Sequence, residues 1–258
     1  MNAEPCGDEL ESVPQAEFND PRLVPLYDLQ NRWGADDDFF LALSHEKPAS
    51  RMADVGCGTG RLTLALAQAG HHVTGLDPAR ASLNLAQQKP DADQVIWLCG
   101  TVETLPTSAF DLILMTSHVA QYFLSDAEWA QTLGHLRRAL VTGGRLAFDS
   151  RDPAARAWEG WDSGGEREIW TLPDGQQAET WATLDTVSAG MVTFTGYTHF
   201  LTTGETLRDS DTLRFRTEEE LRSSLQEAQF EVEQLYGGWQ RQAIGAGNGE
   251  LIVVARAR

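Results

Sequence analysis

Residues Met52 to Gly70 read MADVGCGTGRLTLALAQAG: a short apolar run, a Gly-x-Gly-x-Gly turn and a helical stretch. Glycines at 56, 58 and 60 let a backbone turn sharply and approach a ligand with no Cβ in the way, so a nucleotide-type cofactor is the first chemistry to consider. A dinucleotide fingerprint, G-x-G-x-x-G, would need glycine where this chain has Arg61, which weakens the pyrophosphate reading. Downstream, Leu62, Leu66 and Ala69 fall at helical spacing, Gly70 is placed to end the helix, and HHVTGLD reads as a buried strand ending at Asp77. An acidic residue roughly 20 positions beyond such a turn accepts hydrogen bonds from ribose hydroxyls, and Asp77 lies close to that interval. It also suits the cap of the next helix, with Pro78 at the first helical position, and the two roles can coexist.

Such residues need a scaffold that brings them to one edge. From Arg51 to Ser150 the pattern alternates strand and helix, which argues for a parallel sheet covered on both faces. Ser125 with Glu128 makes a capping box for a helix carrying Trp129, Leu133, Leu136 and Leu140, with Gly143 and Gly144 expected to stop it before a fifth strand, RLAFDS. Residues 151–216 are too many for a bare loop and carry hairpin signals at Asp174-Gly175 and Thr203-Gly204, so a small antiparallel sheet is expected there. Val192, Phe194 and Phe200 alternate onto one of its faces. A second capping box, Thr217 with Glu220, starts a last helix, and FEVEQLYGGW and ELIVVARAR read as closing strands. In an open α/β sheet ligands bind beyond the carboxyl ends of the strands. The residues placed there are the glycines, Asp77, then Ser117, His118 and Gln121, then Asp149, Arg151 and Asp152.

Composition narrows the partners. The 258 residues, 41% of them hydrophobic, allow a sizeable core, and 38 acidic against 20 basic residues give a formal charge of −18, which repels nucleic-acid backbones. Cys6, Cys57 and Cys99 form no paired spacing, so neither disulfides nor a structural zinc site is expected, in keeping with a reducing cytoplasm. No stretch reads as a signal peptide or a membrane span. Residues 1–20 are acidic and aperiodic and read as a loosely ordered tail, while residues 21–50, with Leu26, Trp33, Phe39, Phe40 and Leu43 interleaved with acids, read as one or two short helices.

The segments DVGCGTG, TGLD, CGTVETLP, FDLILMTSHVAQYF and LVTGGRLAFDS, in that order, resemble the successive signatures of the class I S-adenosylmethionine-dependent methyltransferases, over about Leu41 to Ser150. The fold this implies is a doubly wound, mostly parallel seven-stranded Rossmann-like sheet with helices on both faces, here with an antiparallel insertion after the fifth strand. By the resemblance, Asp54 and the turn Gly56, Cys57, Gly58 and Gly60 border the methionine part of S-adenosylmethionine, and Asp77 with Pro78 holds the ribose. Thr101 and Val102 flank the adenine, and Thr116, Ser117 and His118 sit where the methyl group is presented. The family often has an acidic residue where this chain has Thr101, with Glu103 a nearby substitute. An N-terminal helical segment closing over the cofactor makes Tyr27 and Trp33 lid residues.

The expected activity is methyl transfer to an oxygen or nitrogen of a small molecule by in-line displacement, in which alignment and exclusion of water matter most. The alternatives are an NAD-linked oxidoreductase of similar fold and a non-catalytic S-adenosylmethionine-binding protein. His118 is the candidate general base, against the reading that it only hydrogen-bonds backbone or shapes the pocket. Arg151 either binds an acidic group of the acceptor or pairs with Asp149 or Asp152, and Trp158, Trp161 and Trp170 wall an acceptor pocket or form the core of the small sheet. Gln121 is expected on the acceptor side. His71, His72 and His199 read as surface or polar-face residues, and no residue spacing suggests a metal site. A cytoplasmic monomer or homodimer, binding neither nucleic acid nor membrane, completes the expectation.

Overall fold

The computed structural model of the protein describes residues 15–258. The glycine turn follows the first strand, β1 (Arg51–Val55), whose residues Met52 to Val55 are all buried. This is what a central strand covered on both faces requires. Four strands run parallel to it: β2 (His72–Asp77), β3 (Ile96–Cys99), β4 (Phe110–Met115) and β5 (Leu140–Arg151). The last two are β10 (Phe230–Tyr236) and β11 (Glu250–Ala257), and the order across the seven-stranded sheet is β10-β11-β5-β4-β1-β2-β3. Only β11 is antiparallel to both neighbours, pairing Glu250 with Arg151 at one end and Arg256 with Arg145 at the other. The chain therefore reverses its direction of travel across the sheet between β1 and β4, the crevice where an α/β sheet offers a ligand site.

Helices cover both faces. On one, α6 (Asp126–Ala139) starts at the expected capping box, Glu128 N–H donating to Ser125 Oγ at 3.2 Å and Ser125 N–H to Glu128 Oε2 at 3.0 Å. Its apolar stripe of Trp129, Leu133 and Leu136 packs with Ile113, Phe148, Val253 and α7 (Glu218–Glu227). On the other, α3 (Ala35–Ser44) and α4 (Arg61–Gln68) bury Phe40, Leu43, Leu62 and Leu66 against Met52, Leu114 and Val254. Helix α5 (Arg80–Ala86) follows β2. Gly143 and Gly144 do not stop α6. The helix ends at Ala139, and β5 begins at once with Leu140 opposite Phe110. The glycines fall in an irregularity of that strand, between the pairs Phe110–Leu140 and Leu112–Arg145.

Residues 151–216 form the expected antiparallel sheet, β6 (Glu168–Thr171), β7 (Gln177–Ser188), β8 (Met191–Phe200) and β9 (Thr206–Arg214), in sequential order. Gly175 and Gly204, at φ 86° and 74°, turn two of its hairpins. The described part of segment 1–20 is not a tail. Residues Ala16–Asn19 form α1, which with α2 (Val24–Gln30) packs Ala16, Leu23 and Leu26 against Ala178, Phe200 and Leu207 of the insert. The rest of that segment and Cys6 lie outside the described residues. His71 also departs from a surface position: it is 6% exposed, and its Nδ1 accepts the Ser50 N–H at 3.2 Å. Among the described residues no helix is long and apolar enough to cross a membrane.

Trp129 is 1% exposed, meets Phe148 edge-on at 5.5 Å and donates from Nε1 to Ser224 Oγ at 2.9 Å, so it joins α6, β5 and α7. Trp129→Ala should lower the unfolding free energy by about 3–5 kcal/mol, measured by urea denaturation, because the hole lies between elements that cannot collapse into it.

Candidate active site

The turn after β1 is fastened to β2 at three points. The N–H groups of Gly56 and Cys57 donate to Leu76 O at 2.8 and 3.1 Å, and Gly58 N–H donates to Asp77 Oδ2 at 2.8 Å. Asp77 Oδ1 takes the Ala79 N–H at 2.7 Å, which closes the turn after β2; helix α5 begins only at Arg80, with Ala79 as its N-cap residue and no side-chain cap, so neither the expected cap at Asp77 nor the expected helix start at Pro78 is present. It also lines a cavity of about 1060 Å³ that opens over the turn. Burial raises its pKa, opposed by the Ala79 and Gly58 hydrogen bonds. Gly58, at φ 53°, has nothing within 4 Å of the place a Cβ would occupy, and its bare backbone faces the cavity. Gly60 is different: a Cβ there would stand 2.6 Å from the Trp97 ring. It allows close packing of α4 on the sheet and, against the sequence reading, lies off the cavity wall.

Asp54, at the end of β1, is 2% exposed; Oδ2 accepts from Thr63 Oγ1 at 2.6 Å and Oδ1 is buried without a partner. Burial pushes its carboxyl up to about 6, against the Thr63 bond. Asp54, Cys57, Pro78, Thr101 and Val102 all line the cavity, as do Glu103 and the turn Thr116–His118 after β4. Arg61, the residue that breaks the dinucleotide fingerprint, has a structural task. Its Nη1 donates to the carbonyls of Asn31, at 2.8 Å, and Arg32, and its Nε lies 3.3 Å from Asp37 Oδ1, tethering the N-terminal helices over the cavity.

Ser117 and His118 are consecutive non-glycine residues with left-handed backbone, φ 56° and 64°. Each such residue costs on the order of 1–3 kcal/mol, so the surrounding contacts must fix the turn. His118 N–H donates to Asp149 Oδ2 at 2.9 Å, while ring Nε2 lies 3.0 Å from Glu250 Oε2 and 3.3 Å from Asp149 Oδ2. Asp149 is fully buried, and that burial pushes its carboxyl up to about 6 although the neighbouring His118 works the other way. Three atoms of metal-ligand type thus lie within 4.8 Å of one another. They come from β5, β11 and the turn after β4, so no sequence spacing could reveal them. Here Nε2 meets one oxygen of each carboxylate, Asp149 Oδ1 stays buried without a partner, and His118 Nδ1 has no hydrogen-bond partner among the described residues.

The acceptor-side expectations divide. Tyr27 and Arg151 line the cavity. Arg151 closes β5, donates from Nη1 to Gln121 Oε1 at 2.9 Å and lies 5.0 Å from the Trp161 ring centroid; it pairs with neither Asp149 nor Asp152. Gln121 is fully buried, bridging Arg151 to the Arg214 carbonyl, and does not reach the cavity. Trp158 turns away to pack on Phe215 at 4.8 Å, in the core of the insert, and Trp161 takes the wall position. Trp33 is 43% exposed, donates to Asp38 Oδ1 at 2.7 Å and is no lid. Wall residues that the sequence did not single out are Glu17, Phe18, Asp28, Tyr122 and Phe194. Glu17 and Phe18 sit on a four-residue helix too short for a periodic signal, whereas the alternation through Phe194 was visible.

Residues 52–144 match the family described as methyltransferase domain. The chain is 30% identical over 173 residues to an uncharacterized methyltransferase of Geobacillus kaustophilus, covering 65% of this chain and 79% of that one. It is 36% identical over 104 residues to a putative methyltransferase of Geobacillus sp. (strain WCH70), covering 39% and 42%. It spans about half or less of the length of most curated relatives it matches. In fold it is similar to an S-adenosylmethionine-dependent methyltransferase from Clostridium acetobutylicum, with TM-score 0.70 and 15% identity over 90% of this chain and 96% of the other. With sheet order, glycine turn and sequence in agreement, the chain belongs to the class I S-adenosylmethionine-dependent methyltransferases.

Proposed function

We propose that the protein transfers a methyl group from S-adenosylmethionine to an oxygen or nitrogen of a small molecule. The observation that carries this is one cavity, lined at one end by the glycine turn and Asp77, in the middle by Thr116–His118, and at the other by Arg151, Trp161 and Phe194 of the insert. The cofactor fits the first end on three counts: the open backbone at Gly58, the orphaned buried oxygen of Asp54, and an acidic wall suited to a cationic ligand. Gly56, Cys57, Gly58 and Asp54 would hold its methionine part, Asp77 and Pro78 the ribose, and Thr101 and Val102 the adenine. When bound it supplies a methyl carbon on a sulfonium, already joined to a good leaving group.

The chain's own work is alignment, exclusion of water and movement of one proton. Phe18 and Tyr27 of the N-terminal segment close the cavity from above, their rings 5.4 Å apart. The Ser117–His118 turn, braced by Asp149, sets the floor between cofactor and acceptor. His118 takes the acceptor's proton at Nδ1, while Glu250 and Asp149 hold Nε2 and stabilise the charge that develops on the ring. Arg151, kept from solvent and stacked on Trp161, positions the acceptor from the insert side.

S-adenosylhomocysteine should raise the melting temperature and NAD should not, since only a ligand of the folded state stabilises it; the reverse result would overturn the cofactor assignment. Asp77→Ala, still folded by circular dichroism, should bind S-adenosylhomocysteine about tenfold to a hundredfold more weakly by calorimetry, as expected for losing hydrogen bonds to a charged group. Once a screen with methyl-labelled cofactor has identified an acceptor, His118→Ala should lower kcat by about 10²–10⁴-fold. Unchanged turnover would remove the proton-accepting role.

A further inference from the structure

The register of the inserted sheet places Phe194 between Leu184 and Asp211, and Gly196 between Ala182 and Asp209. By the alternation of side chains these share one face with Leu207 and Leu213. The small residues Ala182 and Gly196 leave a hollow in its middle, and a Cβ built on Gly196 would meet nothing closer than the Asp209 carbonyl at 3.9 Å. Helices α1 and α2 roof the hollow into a second cavity of about 510 Å³, which shares Glu17, Tyr27, Trp161 and Phe194 with the larger one.

Its charge is one-sided. Glu17, Asp162, Glu166, Glu168, Asp209 and Asp211 line it, with no lysine, arginine or histidine. Several of these carboxylates have ordinary duties. Glu166 and Glu168 are exposed at the rim, Asp162 accepts the Gly164 N–H at 2.8 Å, and Asp209 accepts the Glu17 N–H at 3.0 Å at the start of α1. Glu17 and Asp211 are different. Asp211 is 7% exposed, and among the described residues neither carboxylate accepts a hydrogen bond or lies in an ion pair. Burial, then repulsion by Asp211 and Asp209, pushes Glu17 up to about 8, and burial, then Asp209, pushes Asp211 up to about 6. Burying unpaired like charges is costly, and a cation between them would relieve it. Trp161, Phe194 and Tyr27 line the same cavity, and aromatic walls attract an ammonium group.

We infer that this chamber holds the methyl acceptor by a positively charged amine set between Glu17 and Asp211, with Trp161 and Phe194 as its apolar walls; the inference rests on the methyltransferase reading above. An ammonium has no lone pair to offer, so the amine is the handle, and the rest of the acceptor reaches the His118 turn across the shared wall of the two cavities.

The test uses matched probes: 2-phenylethylamine against 2-phenylethanol and phenylacetate, and cyclohexylamine against cyclohexanol. Their binding to the full chain is titrated by calorimetry with and without saturating S-adenosylhomocysteine. The amines should bind about tenfold or more tightly than the alcohols, and the acid should not bind. Asp211→Asn should abolish that preference without loss of S-adenosylhomocysteine affinity, since Asp211 lines only the second cavity, and Glu17→Gln, in the wall the two cavities share, should abolish it as well. Each removes a carboxyl that has no hydrogen-bond partner among the described residues and should melt no lower than the parent, and either folded variant alone suffices. Equal binding of amine and alcohol, or a preference that survives both substitutions, overturns the inference. An amine preference in a protein that does not bind S-adenosylhomocysteine would sink the methyltransferase reading and leave the cation site standing.

Discussion

The site depends on one carboxylate in one place. Asp77 stands at the end of β2, nearly out of solvent, and each of its oxygens takes a backbone N–H, one from the turn after β1 and one from the turn after its own strand. Burying a carboxylate that deeply is costly unless it is hydrogen-bonded, and here the two turns supply the bonds. Two loops that would otherwise be independent are thereby fixed to one point. The bare backbone at Gly58 is held in place by one of these bonds. The same residue lines the cavity, so the group that fixes the two loops also stands at the site.

A comparable economy holds across the crevice. The left-handed pair Ser117–His118 is unfavourable by itself, yet Asp149 takes the His118 backbone N–H and stands beside its ring. Asp149 is buried because β11 runs antiparallel beside β5 and covers it, and the same pairing delivers Glu250 to the ring. The last strand of the chain therefore sets the orientation of a side chain that follows the fourth.

What could be read from the sequence was what is decided locally. The strand–turn–helix at 52–70, the capping boxes at Ser125 and Thr217 and the hairpins at Gly175 and Gly204 each depend on residues within a few positions of one another, and all are present. Misassigned residues were those whose neighbours are remote. Trp158 and Trp161 look alike in sequence and both meet Phe215, but the first packs on it at 4.8 Å inside the insert while the second, 5.8 Å from it, also packs on Phe194 and stands at the cavity wall. Gln121 is internal because Arg151 and the Arg214 carbonyl reach it from both sides. Helix α1 has no periodicity to detect, and its first N–H groups are satisfied by Asp209, 192 positions away.

That last contact makes residues 15–32 a partition. On one side Thr59, Ser82, Arg61 and Lys89 hold it to the core through polar contacts with Asp28, Phe18, Asn31 and Arg32; on the other, Asp209, Thr180 and Glu205 hold it to the insert. Glu17 and Tyr27 consequently face both chambers. On the proposed occupancy, a ligand that orders this wall from one chamber would order it for the other, so the two binding equilibria would be coupled through a shared piece of chain, and the factor by which cofactor strengthens acceptor binding would equal the factor by which acceptor strengthens cofactor binding, whichever arrives first.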